Sequence, residues 1–236
     1  MAAYSLPVPK GWLSAGSYYE GAVERALTAL RDPRTPERLT RYYSLNSNYA
    51  GATFTQLHDP EPTRITERDL LAASLLDATI PPATVRALLV EQESAEQVHE
   101  LLSLERLPMT ARLEEATPEL LMAMDELYTA LRGVIPPSRN RYSVNWSTAA
   151  KLASRKRPNL FPVRDEVVCR YLGLWPSQYQ VDWQVFARII STPEVRERLE
   201  RLICRCAEPE GVDVGDPANL LRHLDVIVWM HAPKRT

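Results

Sequence analysis

The chain has 236 residues, of which 45% are hydrophobic and 25% charged, with a formal net charge of −2. That length suits one large domain or two small lobes around a real core. No apolar run nears the ~20 residues of a membrane span. No basic stretch leads into an apolar one at the N-terminus as in a signal peptide. Cys169, Cys204 and Cys206 are odd in number and lack disulfide or zinc spacing. A reducing cytoplasm is the expected location.

Taken in order, the chain reads as a succession of short helices. After an irregular, proline-containing opening, Ala22, Val23, Ala26, Leu27 and Leu30 give a helical stripe over about 16–30. Asp32-Pro33 breaks it, and Thr35-Pro36-Glu37 starts another helix. Residues 41–54, rich in Tyr and Asn, read as a loop leading into a short strand or extended piece. Tyr42, Tyr43, Asn46, Asn48 and Tyr49 suit a pocket for a planar ligand. The competing reading is a buried loop that satisfies its own polar groups. Thr66-Glu67-Arg68-Asp69 resembles a capping box ahead of an apolar face at Leu70, Leu71, Ser74, Leu75 and Leu76. Further starts at Pro81-Pro82, Ser94-Ala95-Glu96, Thr117-Pro118-Glu119 and Thr192-Pro193-Glu194 give a mainly α protein of about ten or more helices, with at most a short β element. The expected organisation is one helical lobe from 1–65 and 174–236 and another from 66–173. The latter holds a hairpin at about 140–152 and a second helix at about 162–173.

Charge is uneven. Between Arg132 and Arg170 lie nine basic residues (Arg132, Arg139, Arg141, Lys151, Arg155, Lys156, Arg157, Arg164 and Arg170) and two acids, a local +7 that leaves −9 elsewhere. Such a patch on an acidic body is the footprint of a phosphate-binding surface, or simply a solvated face. Within it, the turn and helix Ser143-Val144-Asn145-Trp146-Ser147-Thr148 offer backbone N–H groups and hydroxyls to an anion. Arg139, Arg141 and Lys151 add charge, a set fitted to DNA backbone rather than to a particular base. Asp165 follows, at the start of the next helix. By residue statistics alone it reads as a capping acid stabilised by the helix dipole.

Val144-Asn145-Trp146-Ser147-Thr148-Ala149, then Phe161-Pro162-Val163-Arg164-Asp165, then Val168-Cys169-Arg170-Tyr171-Leu172, resemble the hairpin-plus-aspartate segment of the helix-hairpin-helix DNA glycosylase superfamily (HhH-GPD), most closely its MutY-type adenine-glycosylase branch. The chain also resembles uncharacterised actinobacterial proteins sharing Tyr42-Tyr43-Ser44-Leu45-Asn46 and Ala116-Thr117-Pro118-Glu119-Leu120-Leu121. The glycosylase resemblance implies two helical lobes with a cleft between them. A base flipped from duplex DNA would enter it, and Asp165 would stabilise the charge developing on the sugar. Enzymes of that superfamily that also cut the strand carry Lys where this chain has Ser147, which implies a monofunctional hydrolase. The branch's four iron–sulfur cysteines are absent, and no cofactor or metal is expected. His58, His99, His223 and His231 are scattered. Duplex DNA is the expected partner of a monomer.

Two departures stand out. Ser143 and Asn145 occupy hairpin positions that are Gly in the family, where Gly permits close phosphate approach. A second acid is not evident; Glu20, Glu67 and Asp69 are the candidates, and a leaving group needing little protonation, a modified cytosine or an alkylated base, would do without one. The target is open between a damaged base and a modified base of invading phage DNA, the latter an antiviral defence. Two other readings remain: a non-catalytic DNA- or RNA-binding module, attached through Lys151, Arg155 and Arg157 with Asp165 as a cap, and a helical interaction protein of a defence pair.

Overall fold

The computed structural model describes residues 6–57, 61–136, 144–175 and 178–233. The helices are α1 (Gly16–Arg31), α2 (Thr35–Tyr43), α3 (Gly51–Gln56), α4 (Glu67–Leu75), α5 (Pro82–Leu89), α6 (Gln92–Leu101), α7 (Pro118–Val134), α8 (Val144–Lys156), α9 (Glu166–Leu172), α10 (Tyr179–Ser191), α11 (Pro193–Cys206) and α12 (Leu220–His231), with a 3-10 turn at Leu113–Glu115. The fold is mainly α, as the sequence leads one to expect. The extended piece expected after Tyr43 shrinks to one antiparallel bridge between Ser44 and Val212, after which the chain turns into α3.

The punctuation follows the local chemistry. Proline sits in the first turn of α2, α5, α7 and α11, where its missing N–H is no loss. Thr66 and Asp69 close a capping box on α4, and the Thr117 side chain accepts from Leu120 N. α9 ends at Gly173 with φ 80°, and Leu174 N reaches back to Cys169 O. The left-handed φ favours glycine here, and a Cβ would also displace the Arg25 guanidinium, whose Nη1 would lie 2.6 Å away. The apolar face of α4 differs from expectation. Leu70, Ala72 and Ala73 are buried while Leu71 and Leu75 are exposed. α4 packs on α8, whose Ala149, Ala150 and Ala153 are buried, and small side chains on both helices let the axes approach.

The helices gather in two groups. α8 lies against α4 and α7, and α7 against α5 and α6. α1 is the hub of the other group, touching α2, α9, α10, α11 and α12, and α12 also packs on α2, α9 and α11. One continuous hydrophobic core runs through both groups. At its centre Trp183 is wholly buried, with rings of Trp12, Tyr128, Phe161 and Tyr179 around it.

Candidate active site

The sequence puts the basic run of α8 and its following loop on a surface; the structure puts much of it inside. Lys151, Lys156, Arg157 and Arg164 are buried, and the Arg155 side chain keeps 8% of its exposure. Ion pairs and carbonyls take the charges that phosphates would have met. Lys156 Nζ lies 2.5 Å from Asp69 Oδ2, and Arg155 Nε 3.4 Å from Asp69 Oδ1. Arg157 donates to the carbonyls of Pro62, Leu102 and Leu107. These partners come from chain segments far away in sequence. The expected phosphate-binding face is therefore not built from these side chains, and attachment to nucleic acid through Lys151, Arg155 and Arg157 loses its exposed cations.

Arg164 sets the geometry of the residue after it. Its φ is 54°, a left-handed conformation that costs a branched or long residue about 1–3 kcal/mol unless its surroundings impose it. They do here. Nε and Nη2 donate to Asp182 Oδ2 at 2.9 and 2.6 Å, Nη1 donates to Tyr128 Oη at 2.6 Å, and the guanidinium stacks 5.1 Å from the Trp146 ring. Asp165 comes next, its side chain 23% exposed. Oδ1 accepts from Val167 N at 2.8 Å, so Asp165 does cap α9. Oδ2 is left 4.0 Å from Lys151 Nζ. Burial pulls the Lys151 amine below the ordinary lysine range, opposed by the nearby carboxyls of Asp165 and Asp77.

Asp165 and Lys151 line a cleft of about 520 Å³. Helices of both groups form its walls: α2 gives Tyr42, the loop before α3 gives Asn48 and Tyr49, the end of α4 gives Leu75 to Asp77, and α12 gives Arg222, Asp225 and Trp229. Tyr42, Tyr49 and Trp229 form an aromatic wall, with centroids 5.7 Å apart for the two tyrosines and 6.2 Å from each to Trp229. Arg222 Nη2 donates to Tyr42 Oη at 2.8 Å and Nη1 lies 4.0 Å from Asp225 Oδ2. The rings are tilted or edge-on to one another, and the space they border, aromatic on one side and charged on the other, has the volume for a planar polar ring.

The structure brings Tyr42, Asn48, Tyr49, Lys151 and Asp165 together and sets other candidates apart. Tyr43 is buried, its hydroxyl 2.9 Å from His223 Nδ1, outside the cleft. His223 Nε2 faces the Asp216 carbonyl at 3.1 Å, so Nδ1 is the acceptor of the Tyr43 hydroxyl, and burial pushes the imidazole down to about 4. Asn46 borders a separate surface depression with Glu37, Thr40 and Arg41. Asn145, Trp146 and Ser147 are half-buried in the first turn of α8, which Val144 opens, and do not line the cleft. Thr148 is wholly buried and donates to Thr79 O at 3.4 Å; the Trp146 ring is engaged with Arg164. The Thr148 side chain is thus taken up by packing, and the Trp146 ring by its contact with Arg164. Arg139, Arg141 and Ser143 lie outside the described residues. Of the candidate second acids, Glu20 and Glu67 are exposed and Asp69 is buried in its ion pairs; none lines the cleft.

Sequence reasoning missed Asp225. The available signal was a single acid inside the apolar run Leu224 to Trp229, where an ionisable side chain is costly without a purpose. Among the described residues, no group of three or more His, Cys, Asp or Glu side chains is placed to hold a metal ion, and no helix is long and apolar enough to cross a membrane.

No curated protein and no solved structure gives a significant match to this chain. A family model does, over residues 36–232, a span running from α2 through α12 that includes every cleft residue named above. The chain thus belongs to a family of unknown function, DUF6308.

Proposed function

We propose that the chain is a monofunctional DNA glycosylase in which Asp165 assists hydrolytic release of a base flipped into the cleft. The observation that carries the reading is one of convergence. Asp165 was singled out by a motif resemblance, and Tyr42, Asn48 and Tyr49 by composition more than a hundred residues earlier. All four line one cleft. The aromatic wall supplies stacking for an unstacked base. Asp165 Oδ1 is held by the α9 cap, and Oδ2 is the oxygen that would face the positive charge developing on the sugar. Duplex contact falls to the residues that precede α8 in sequence, Arg139 and Arg141 among them, and to the backbone at the start of α8, because Lys151, Lys156, Arg157 and Arg164 are buried.

The test uses duplexes that each carry one normal, damaged or phage-modified base, followed by alkali to reveal abasic sites. Asp165→Asn is expected to keep duplex binding and lose base release by about a hundredfold or more. Release unchanged in that variant would remove Asp165 from the chemistry. Lys151 opens a second reading, since a buried amine lies 4.0 Å from Asp165 in the same cleft. Borohydride in the reaction separates the two: the hydrolase leaves no trapped protein–DNA species, whereas a trapped species lost in Lys151→Ala would make the amine a nucleophile.

A further inference from the structure

The cleft holds a second carboxyl with unmet bonding capacity. Asp225 sits on α12 and is 4% exposed. Its Oδ1 is buried without a hydrogen-bond partner. Its Oδ2 approaches Arg222 Nη1 only to 4.0 Å, beyond hydrogen-bond length. A buried carboxyl in this condition lowers stability, and such groups are rare unless something arrives to bond them. Asp225 lines the same cleft as Asp165, so the arriving partner is whatever occupies that cleft.

We propose that Asp225 is the proton donor of this site, passing the proton of its carboxyl to a ring nitrogen of the base that Asp165 helps release. This rests on the glycosylase reading above. The substrate class it selects is a neutral base with an accepting ring nitrogen, in place of the leaving group that needs little protonation. The step balances as follows. The glycosidic C–N bond breaks and its electron pair stays with the base, whose ring nitrogen takes the Asp225 proton. A water oxygen bonds to the sugar carbon, and the surplus water proton passes to Asp165. Free base and an abasic sugar hydroxyl leave, and exchange with solvent restores both carboxyls.

The surroundings favour a protonated acid. Burial pushes Asp225 up to about 7; Arg222 and Lys151 oppose that shift and Asp165 adds to it. Tyr42 and Tyr43 from α2 and Cys169 from α9 also face it electrostatically, and Asp77 lies at the rim of the same cleft. An acid of this strength is matched to proton donation near neutrality.

The test compares wild type, Asp165→Asn, Asp225→Asn and Asp225→Glu on duplexes carrying adenine opposite 8-oxoguanine, hypoxanthine or 7-methylguanine, from pH 5 to 9. The 7-methyl base is already cationic and departs without a donor. Asp225→Asn is expected to lose about a hundredfold or more on a neutral base and less than tenfold on the cationic one. Its duplex binding should persist, and the decline in rate above pH 7 should vanish; Asp225→Glu, which restores a carboxyl, should recover part of the rate. Release that depends on Asp165 but is equal in wild type and Asp225→Asn, or falls equally on neutral and cationic bases, overturns the Asp225 role alone. So does release confined to the cationic base. No release from any duplex by the wild type overturns the glycosylase reading itself, and the Asp225 role with it.

Discussion

Replacing Arg164 with Met tests whether the buried guanidinium holds the turn that presents Asp165. Arg164 and Asp182 are both completely buried, and the pair is joined through Asp182 Oδ2. Asp182 Oδ1 has no hydrogen-bond partner, so Arg164 is the main compensation for that carboxyl. The substitution keeps most of the side-chain volume and the unfavourable φ of 54°, and removes the charge. Breaking one side of a buried pair costs about 3–5 kcal/mol, because the partner is left charged and desolvated. With a urea m-value of about 2–3 kcal/mol/M, the unfolding midpoint falls by about 1–2.5 M. The Tyr128 hydroxyl also loses the donor at 2.6 Å while keeping its own bond to the Trp146 carbonyl at 3.0 Å. The double variant Arg164→Met, Asp182→Leu removes the stranded charge and should recover much of the loss. A midpoint for Arg164→Met within about 0.3 M of wild type, or a double variant no better than the single one, would show that the pair does not hold the turn.

Two further outcomes follow from buried charges. The Asp225 carboxyl is raised from 3.8 to about 7 in the folded protein, so folding takes up a proton between those values. Its stability contribution is fully present below about 3.8 and is lost as pH rises through 7. Asp225→Asn should therefore be more stable than wild type at pH 8 by about 2–4 kcal/mol, with little difference at pH 4, in urea melts at the two pH values. Equal stability at pH 8 would contradict a carboxyl so placed. Asp69→Ala removes the carboxylate shared by Arg155 and Lys156, which keep the carbonyls of Phe54, Leu57 and Glu61, and opens the cap of α4, so a loss of about 3–5 kcal/mol is expected from the same melts; a loss below about 1 kcal/mol would mean that the carbonyls and water suffice for the two cations.

Local chemistry made most of the helical boundaries readable. Proline in a first turn, a Thr–Asp box and a left-handed Gly each act within four or five residues, so Thr35, Thr66, Pro193 and Gly173 could be placed without knowing the fold. Burial of the cations could not be read that way. Nothing within a turn of Arg157 indicates that the carbonyls of Pro62, Leu102 and Leu107 will surround it, and a charged stretch without internal carboxylates resembles a solvated face until those segments arrive. The cleft was half legible for the same reason. Tyr42, Asn48 and Tyr49 carried a compositional signal and Asp165 a motif, whereas Asp225 shows its character only when α12 closes against α2 and α9.

The three carbonyls gathered on Arg157 also bear on motion. One side chain ties the approach to α4, the end of α6 and the loop beyond it to the chain that leads on to Asp165. None of these strips of backbone can peel away alone without undressing a guanidinium in the interior. Their amide protons should therefore exchange together, as one slow unit, rather than with the independent fast openings usual for loops. These strips would then breathe as a block; none of Pro62, Leu102, Leu107 or Arg157 lines the cleft, so motion that admits a ligand there falls to the cleft's own walls, such as the loop of Asn48 and Tyr49.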